Sequence, residues 1–170
     1  MERRKWRIPL VYSNDDLRRM YAGHRGDRVA RGFARFWSVV FAWGLAPRRW
    51  VTLEVRGRTS GRPRRFPIGL TNVDGSWFAV SMLGESCHWV RNVRATQGVA
   101  VLCHGRSRPC RLVDVAVEDR APILQRYLQQ VPGARPHIRV DRNAPRESFE
   151  NVAEHYPVFR VVYEPRGSAP

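Results

Sequence analysis

Arg56-Gly57-Arg58-Thr59-Ser60-Gly61-Arg62-Pro63-Arg64-Arg65-Phe66-Pro67 is the stretch on which the reading of this chain turns. Five arginines (Arg56, Arg58, Arg62, Arg64 and Arg65) crowd a glycine-bearing turn between two runs that read as strands. Upstream, Trp50–Arg56 alternates apolar and polar residues as a half-buried strand does. Downstream, 64–72 is a second strand, and Val73-Asp74-Gly75-Ser76 turns it into a third at 77–82. Gly57 and Gly61 permit tight backbone geometry, and the N–H groups of such turns form anion-binding nests. Thr59 and Ser60 add hydroxyl donors, and Arg58, Arg62 and Arg64 can clamp phosphate or carboxylate in bidentate fashion. Pro67 removes one ladder donor, so its strand lies at an edge or a bulge there.

A second signature follows from Ser81 to Asn92, S-M-L-G-E-S-C-H-W-V-R-N. Ser86 is a candidate cap for a helix from Cys87 to about Thr96, stopped by Gly98. The N–H groups at such a helix start favour an anion. Trp89 offers a flat surface for an aromatic ring, and Asn92 falls three residues later on the same face. A buried core position is the plainer reading of Trp89.

The rest of the chain alternates strands with helices. Residues 99–104 and 107–117 pair through Gly105-Arg106, a helix runs from Glu118 to about Gln130, and a short helix at 146–155 precedes a last strand at 158–163. Toward the N-terminus, Asn14 caps a short helix to about Ala22, and Asp27 opens a longer one to about Leu45, ended by Pro47. Val29, Phe33, Phe36, Trp37, Val40 and Gly44 share one face of that helix, with Arg28, Arg31 and Arg35 opposite. Phe41 and Trp43 make its second half apolar nearly all round, so it packs on its own domain, on a partner copy, or on a membrane surface. Antiparallel strands with one interposed helix and peripheral helices give an α+β domain built on a small closed barrel. We divide the 170 residues into an arginine-rich extension (1–26), one domain (27–165) and a tail (166–170).

Composition narrows the chemistry. Thirty basic against 15 acidic residues give a net charge of +15, and Lys5 is the only lysine. Such a surface selects polyanionic partners: nucleic acid, anionic lipid, or a small molecule bearing phosphate and carboxylate. The aromatics fall at core-helix spacing and no recognised nucleic-acid motif accompanies them, so no specific nucleic-acid partner is expected. Cys87, Cys103 and Cys110 form no C-x-x-C pair, which suits a reducing cytoplasm and excludes a zinc framework. The five histidines lack metal-ligand spacing, and there is no nucleophile elbow, Walker or Rossmann glycine pattern. No catalytic side chain stands out, and chemistry here has to come from a bound cofactor.

The segments G-R-T-S-G-R-P-R-R-F-P, W-F-A-V-S and W-V-R-N-V-R-A, followed late by P-G-A-R-P-H-I and Y-P-V-F-R, resemble the deazaflavin-dependent nitroreductase family over residues 37–163. The resemblance implies a six-stranded antiparallel split β-barrel of the FMN-binding type with peripheral helices. It implies a homodimer as one form of assembly, and hydride transfer from reduced coenzyme F420 to a small-molecule quinone, enone or nitro compound. An FMN-binding oxidoreductase of the same barrel type and a non-catalytic cofactor-binding protein are the alternatives. By the same resemblance Arg58, Thr59, Ser60 and Arg64 hold the phosphate and acidic tail, and Pro67 and Ile68 meet the deazaflavin ring. Ser81, Met82 and Leu83 line the phosphate or ring edge, with Trp89 and Asn92 beside the ring. Thr59 stands where the family often has lysine, and Met82-Leu83 replaces a segment that often carries one. The arginines are left to supply that charge.

Overall fold

The computed structural model describes residues 36–164. Six strands, β1 (Trp50–Arg56), β2 (Pro63–Val73), β3 (Ser76–Val80), β4 (Val99–His104), β5 (Arg106–Asp114) and β6 (Val158–Tyr163), close into a barrel in the order β1-β2-β3-β6-β5-β4. Every pairing is antiparallel. Helix α1 (His88–Ala95) joins β3 to β4, α2 (Arg120–Gln130) follows β5, and α3 (Arg146–Glu150) precedes β6. This is the α+β split barrel expected from the sequence.

Alternation explains the core. Val51, Leu53 and Val55 of β1 are buried in the barrel interior with Leu70, Leu102 and Phe159. Glu54, on the other face of β1, is half-exposed and meets Arg65 across the ladder. Helix α1 lays Trp89, Val90 and Val93 into this interior. A second core forms outside the barrel, where α2 and α3 bring Leu124, Leu128 and Phe149 against Phe78 and Val80 of β3 and Val158 of β6.

β2 outruns its neighbour. It pairs with β1 from Pro63 to Gly69 but with β3 only from Leu70 to Val73. The Leu70 N–H donates to the Arg49 carbonyl at 2.7 Å and the Gly57 N–H to the Arg62 carbonyl at 2.9 Å. These bonds fix the alternation: even-numbered β2 residues bond β1, and odd-numbered ones turn their backbone groups the other way. Pro63 and Pro67 are odd. Both set their missing N–H on the side that β3 leaves free, so neither costs a ladder bond.

Several boundaries differ from the sequence expectation. The helix that was to reach Leu45 is helical over 36–42 and ends at Gly44 (φ +73°), where an added Cβ would meet the Gly105 backbone nitrogen at 3.0 Å. Its residues 27–35 and the helix at Asn14–Ala22 lie outside the described residues. β3 stops at Val80 rather than Met82, and β5 at Asp114 rather than Val117. The stretch after β5 forms a 3-10 turn at Val117–Asp119 before α2, and the helix expected at 146–155 splits into α3 and a 3-10 turn at Ala153–His155. Cys87, not Ser86, occupies the N-cap of α1, and it makes no side-chain capping bond. Gly98 does end that helical segment. Its φ of +84° and an added Cβ lying 2.4 Å from the Leu112 carbonyl oxygen restrict the position to glycine.

Candidate functional site

The arginine turn is built by its own backbone. The Gly57 N–H bonds the Arg62 carbonyl, and the Gly61 N–H returns to the Gly57 carbonyl at 2.8 Å. Gly61 holds φ +64°, and a Cβ on Gly57 would lie 2.9 Å from Ser60 Oγ and 3.4 Å from Arg64 Cγ. Ser60 Oγ accepts the Arg62 N–H at 3.4 Å. The turn is then fastened to α1: Asn92 Oδ1 accepts both the Arg58 backbone N–H and an Arg58 Nη1–H, each at 3.2 Å. Asn92 is 4% exposed, so this bond is formed at the wall of the barrel rather than in open solvent.

Charge at the turn is largely uncompensated. Arg65 Nε donates to Glu54 Oε2 at 2.7 Å, and that bond raises the arginine's pKa. Arg58 is bonded to a neutral amide. Arg56, Arg62 and Arg64 are exposed and make no ion pair among the described residues. Thr59 and Ser60 stand exposed between them. Guanidinium, hydroxyl and backbone donors with almost no acid nearby suit a ligand carrying several negative charges.

Beyond Val80 the chain leaves the barrel level with Gly69 and returns through α1 to Arg58. The loop after β3 stays beside β6, where the Ser81 N–H meets the Pro157 carbonyl at 2.9 Å and Gly84 approaches the His155 carbonyl, and α1 then brings Asn92 to the arginine turn; Pro67 and Ile68 on β2 are half-buried. The Ile68 side chain packs toward the barrel core and its backbone bonds β1, so the free side is offered the backbone of the odd-numbered neighbours, the Pro67 carbonyl among them. Helix α1 has no acidic residue in its first turn, and its N-cap residue makes no side-chain capping bond.

The structure sorts the remaining candidates. The buried Ser81 hydroxyl donates to the Gly84 carbonyl at 2.8 Å, which commits its proton to its own loop. Met82 packs toward the second core, and Leu83 is half-buried. Trp89 is 6% exposed, with its ring 5.5 Å from that of Phe159 inside the barrel, and serves as core. Asn92 reaches the turn and not a ring site of its own. Burial pushes the Cys87 thiol above its ordinary pKa, which keeps it neutral beside α1. The Tyr156 hydroxyl donates to the His137 carbonyl at 3.1 Å and accepts the Arg139 N–H at 3.3 Å, whereas His88 is exposed.

Sequence reasoning missed one group. Arg94 on α1 grips Glu85 of the 81–87 loop through both terminal nitrogens and Asp114 of β5 at 3.2 and 3.3 Å. These partners are far apart in sequence, and no local pattern marks them. Two surface grooves lie elsewhere, one of about 400 Å³ between the β2–β3 turn and α2, one of about 300 Å³ between α1 and β5. Among the described residues no cluster of three or more His, Cys, Asp or Glu gathers that could hold a metal ion.

The family model of the F420H(2)-dependent quinone reductases matches residues 38–146. The chain belongs to that family. It is an F420H2-dependent oxidoreductase, and of the coenzymes left open by the sequence, F420 is the one this membership selects. The barrel is similar to that of a protein of unknown function from Agrobacterium tumefaciens, 14% identical over 94% of this chain and 60% of that one, TM-score 0.53. It is also similar to that of a putative 5-nitroimidazole antibiotic resistance protein from Bacteroides thetaiotaomicron, 7% identical over 74% of this chain and 78% of that one, TM-score 0.50. An F420-H2 dependent reductase, FDR-A, aligns at 21% identity over 67% of this chain and 94% of that one, TM-score 0.45. No curated protein matches by sequence.

Deazaflavin F420 carries a ring at one end and a phosphate with a carboxylate tail at the other. The residues present fit it: an uncompensated arginine turn, then an uncovered strand edge, both along one side of β2.

Proposed function

We propose that this reductase passes a hydride from reduced F420 to a quinone, with the coenzyme lying along the free side of β2. Bound F420 supplies the hydride from its central ring. Arg58, Thr59, Ser60 and Arg64 hold its phosphate and acidic tail, while the strand at Pro67 and Ile68, with the Pro67 carbonyl turned to the free side, supports the ring. The Arg58–Asn92 bond carries this reading, since it locks a cationic turn onto the helix that packs into the barrel beside β1. Leu83 is the half-buried apolar residue the loop offers the coenzyme, Met82 is taken up by the second core, and Trp89 acts at one remove by filling the barrel core. The protein mainly orients and charges the site. Transfer of the hydride and one proton reduces the quinone to its quinol, and the proton comes from solvent or the exposed His88, since Tyr156 is already engaged. Titration of the full chain with F420 and with FMN tests the coenzyme, and turnover with a short-chain quinone and a nitroaromatic tests the acceptor. Tight F420 binding, weak FMN binding and preference for the quinone are expected; FMN binding as tight as F420 would end the proposal.

The quinone reading gains a second element from the surface. Phe36, Val39, Trp43 and Leu45 are 61%, 53%, 73% and 74% exposed, beside the exposed Arg48 and Arg106. No helix among the described residues is long and apolar enough to cross a membrane. We place this patch on an anionic bilayer surface, where apolar side chains enter the interface and arginines meet lipid headgroups. The free thiols of Cys87, Cys103 and Cys110 suit the cytoplasmic side. Trp43→Asp should cut pelleting with phosphatidylglycerol vesicles at least fivefold and leave soluble-quinone turnover unchanged. If light scattering shows a dimer that this substitution dissociates, the patch joins two copies instead.

A further inference from the structure

Strand parity divides the arginine turn between two faces. Residues paired across β1 and β2 point to the same side of the sheet. Leu53–Phe66 and Val55–Arg64 are such pairs on the inner side, where Leu53 and Val55 belong to the barrel core. Glu54–Arg65 and Arg56–Pro63 lie on the outer side. Arg64 therefore leaves β2 on the side of α1, whose Trp89 and Val93 join that core and whose Asn92 holds Arg58.

Gly57 continues the inner parity just past the end of β1, and it is buried. Unlike Gly61 it does not hold a positive φ, so what glycine supplies here is space rather than conformation. An added Cβ would lie 2.9 Å from Ser60 Oγ, 3.3 Å from the Arg62 carbonyl oxygen and 3.4 Å from Arg64 Cγ. Ser60 Oγ and the Arg64 side chain thus stand together over a bare Cα. Both have donors to spare. Ser60 Oγ accepts the Arg62 N–H at 3.4 Å while its own proton meets no acceptor among the described residues, and exposed Arg64 makes no ion pair among them. A hydroxyl and a guanidinium on one face, beside Arg58, make a seat for a phosphate. A methyl at residue 57 would compete for that space. Of the atoms it meets, Ser60 Oγ is the nearest and the one free to move, by rotation about χ1. The turn survives, and the hydroxyl leaves Arg64.

We propose that Gly57 is a positioning residue for the coenzyme's phosphate: the missing Cβ lets Ser60 Oγ and Arg64 converge on one anion. This rests on the placement of the phosphate proposed above. The test uses the full chain as Gly57→Ala, Ser60→Ala and the double variant. Two ligands are titrated, F420 and the same deazaflavin ring and ribityl chain lacking phosphate and tail. Kd for F420 should rise about tenfold in each single variant, as for one lost hydrogen bond to a charged group. Kd for the phosphate-free form should stay within about twofold, since the ring does not reach the turn. The double variant should bind F420 no more weakly than Ser60→Ala, and should regain any Tm that Gly57→Ala loses, because the atom its Cβ meets is gone. Unchanged F420 affinity in Gly57→Ala, or an equal loss for both ligands, would overturn the proposal. A double variant weaker than Ser60→Ala overturns it too, even if Gly57→Ala alone does not fold. The unaltered chain separates the two readings. If it binds both ligands equally, the phosphate placement itself fails; if it discriminates and Gly57→Ala matches it, only the role of Gly57 is wrong.

Discussion

Arg58→Ala/Arg64→Ala should weaken F420 binding by about two orders of magnitude, measured by quenching of deazaflavin fluorescence, while Tm stays within a few degrees. A hydrogen bond to a charged group contributes about 1.5–3 kcal/mol, and solvent at this exposed turn takes each toward the lower end. Two such losses, at about 1.4 kcal/mol per tenfold, give the expected factor. Stability should be spared, because the Arg58 backbone N–H still satisfies Asn92 Oδ1 after the side chain is cut back. Arg65→Ala is the matched control. It removes the same charge from the same strand, but that guanidinium is already bonded to Glu54 and faces the outer side of the ladder. Its effect should stay under about threefold, as expected of a screened, indirect charge.

Phe159→Ala should cost about 3–5 kcal/mol, the range for emptying a fully packed aromatic site. At about 2–4 °C per kcal/mol for a chain of this size, the fall in Tm exceeds about 6 °C. Phe159 is 1% exposed, packs on Trp89, and lies under the Arg94 guanidinium. The cavity therefore opens between the barrel wall and α1, the helix that carries Asn92. We expect F420 affinity to fall as well, and to recover when the temperature is lowered well below the new Tm. Differential scanning calorimetry with a coenzyme titration at two temperatures checks both parts.

Much of this arrangement could be read from the chain. Val51, Leu53 and Val55 announce β1 by alternation, Asp74-Gly75 marks the β2–β3 turn, and Gly98 marks the end of the α1 segment because its conformation excludes a side chain. The arginine turn was legible for the same reason, as two glycines spaced to close a tight loop. Trp89 and Asn92 were legible as one helix face, but helical periodicity does not say what that face meets. In the fold it meets the barrel interior, so Trp89 became core and Asn92 became the anchor of the turn. The end of the helical stretch at residue 42 depends on Gly44 meeting Gly105, and the Glu85–Arg94–Asp114 strut joins a loop, a helix and a strand. Contacts that distant in sequence leave no local trace.

The central claim is that the turn at residues 56–65 holds the anionic end of the coenzyme. It is tested most directly by comparing the affinity of the full chain for F420 with that for the same deazaflavin ring and ribityl chain lacking phosphate and tail. The turn as described predicts a loss of at least a hundredfold for the uncharged form, shrinking sharply in the Arg58→Ala/Arg64→Ala variant. Equal affinities for the two forms in the unaltered protein would contradict it.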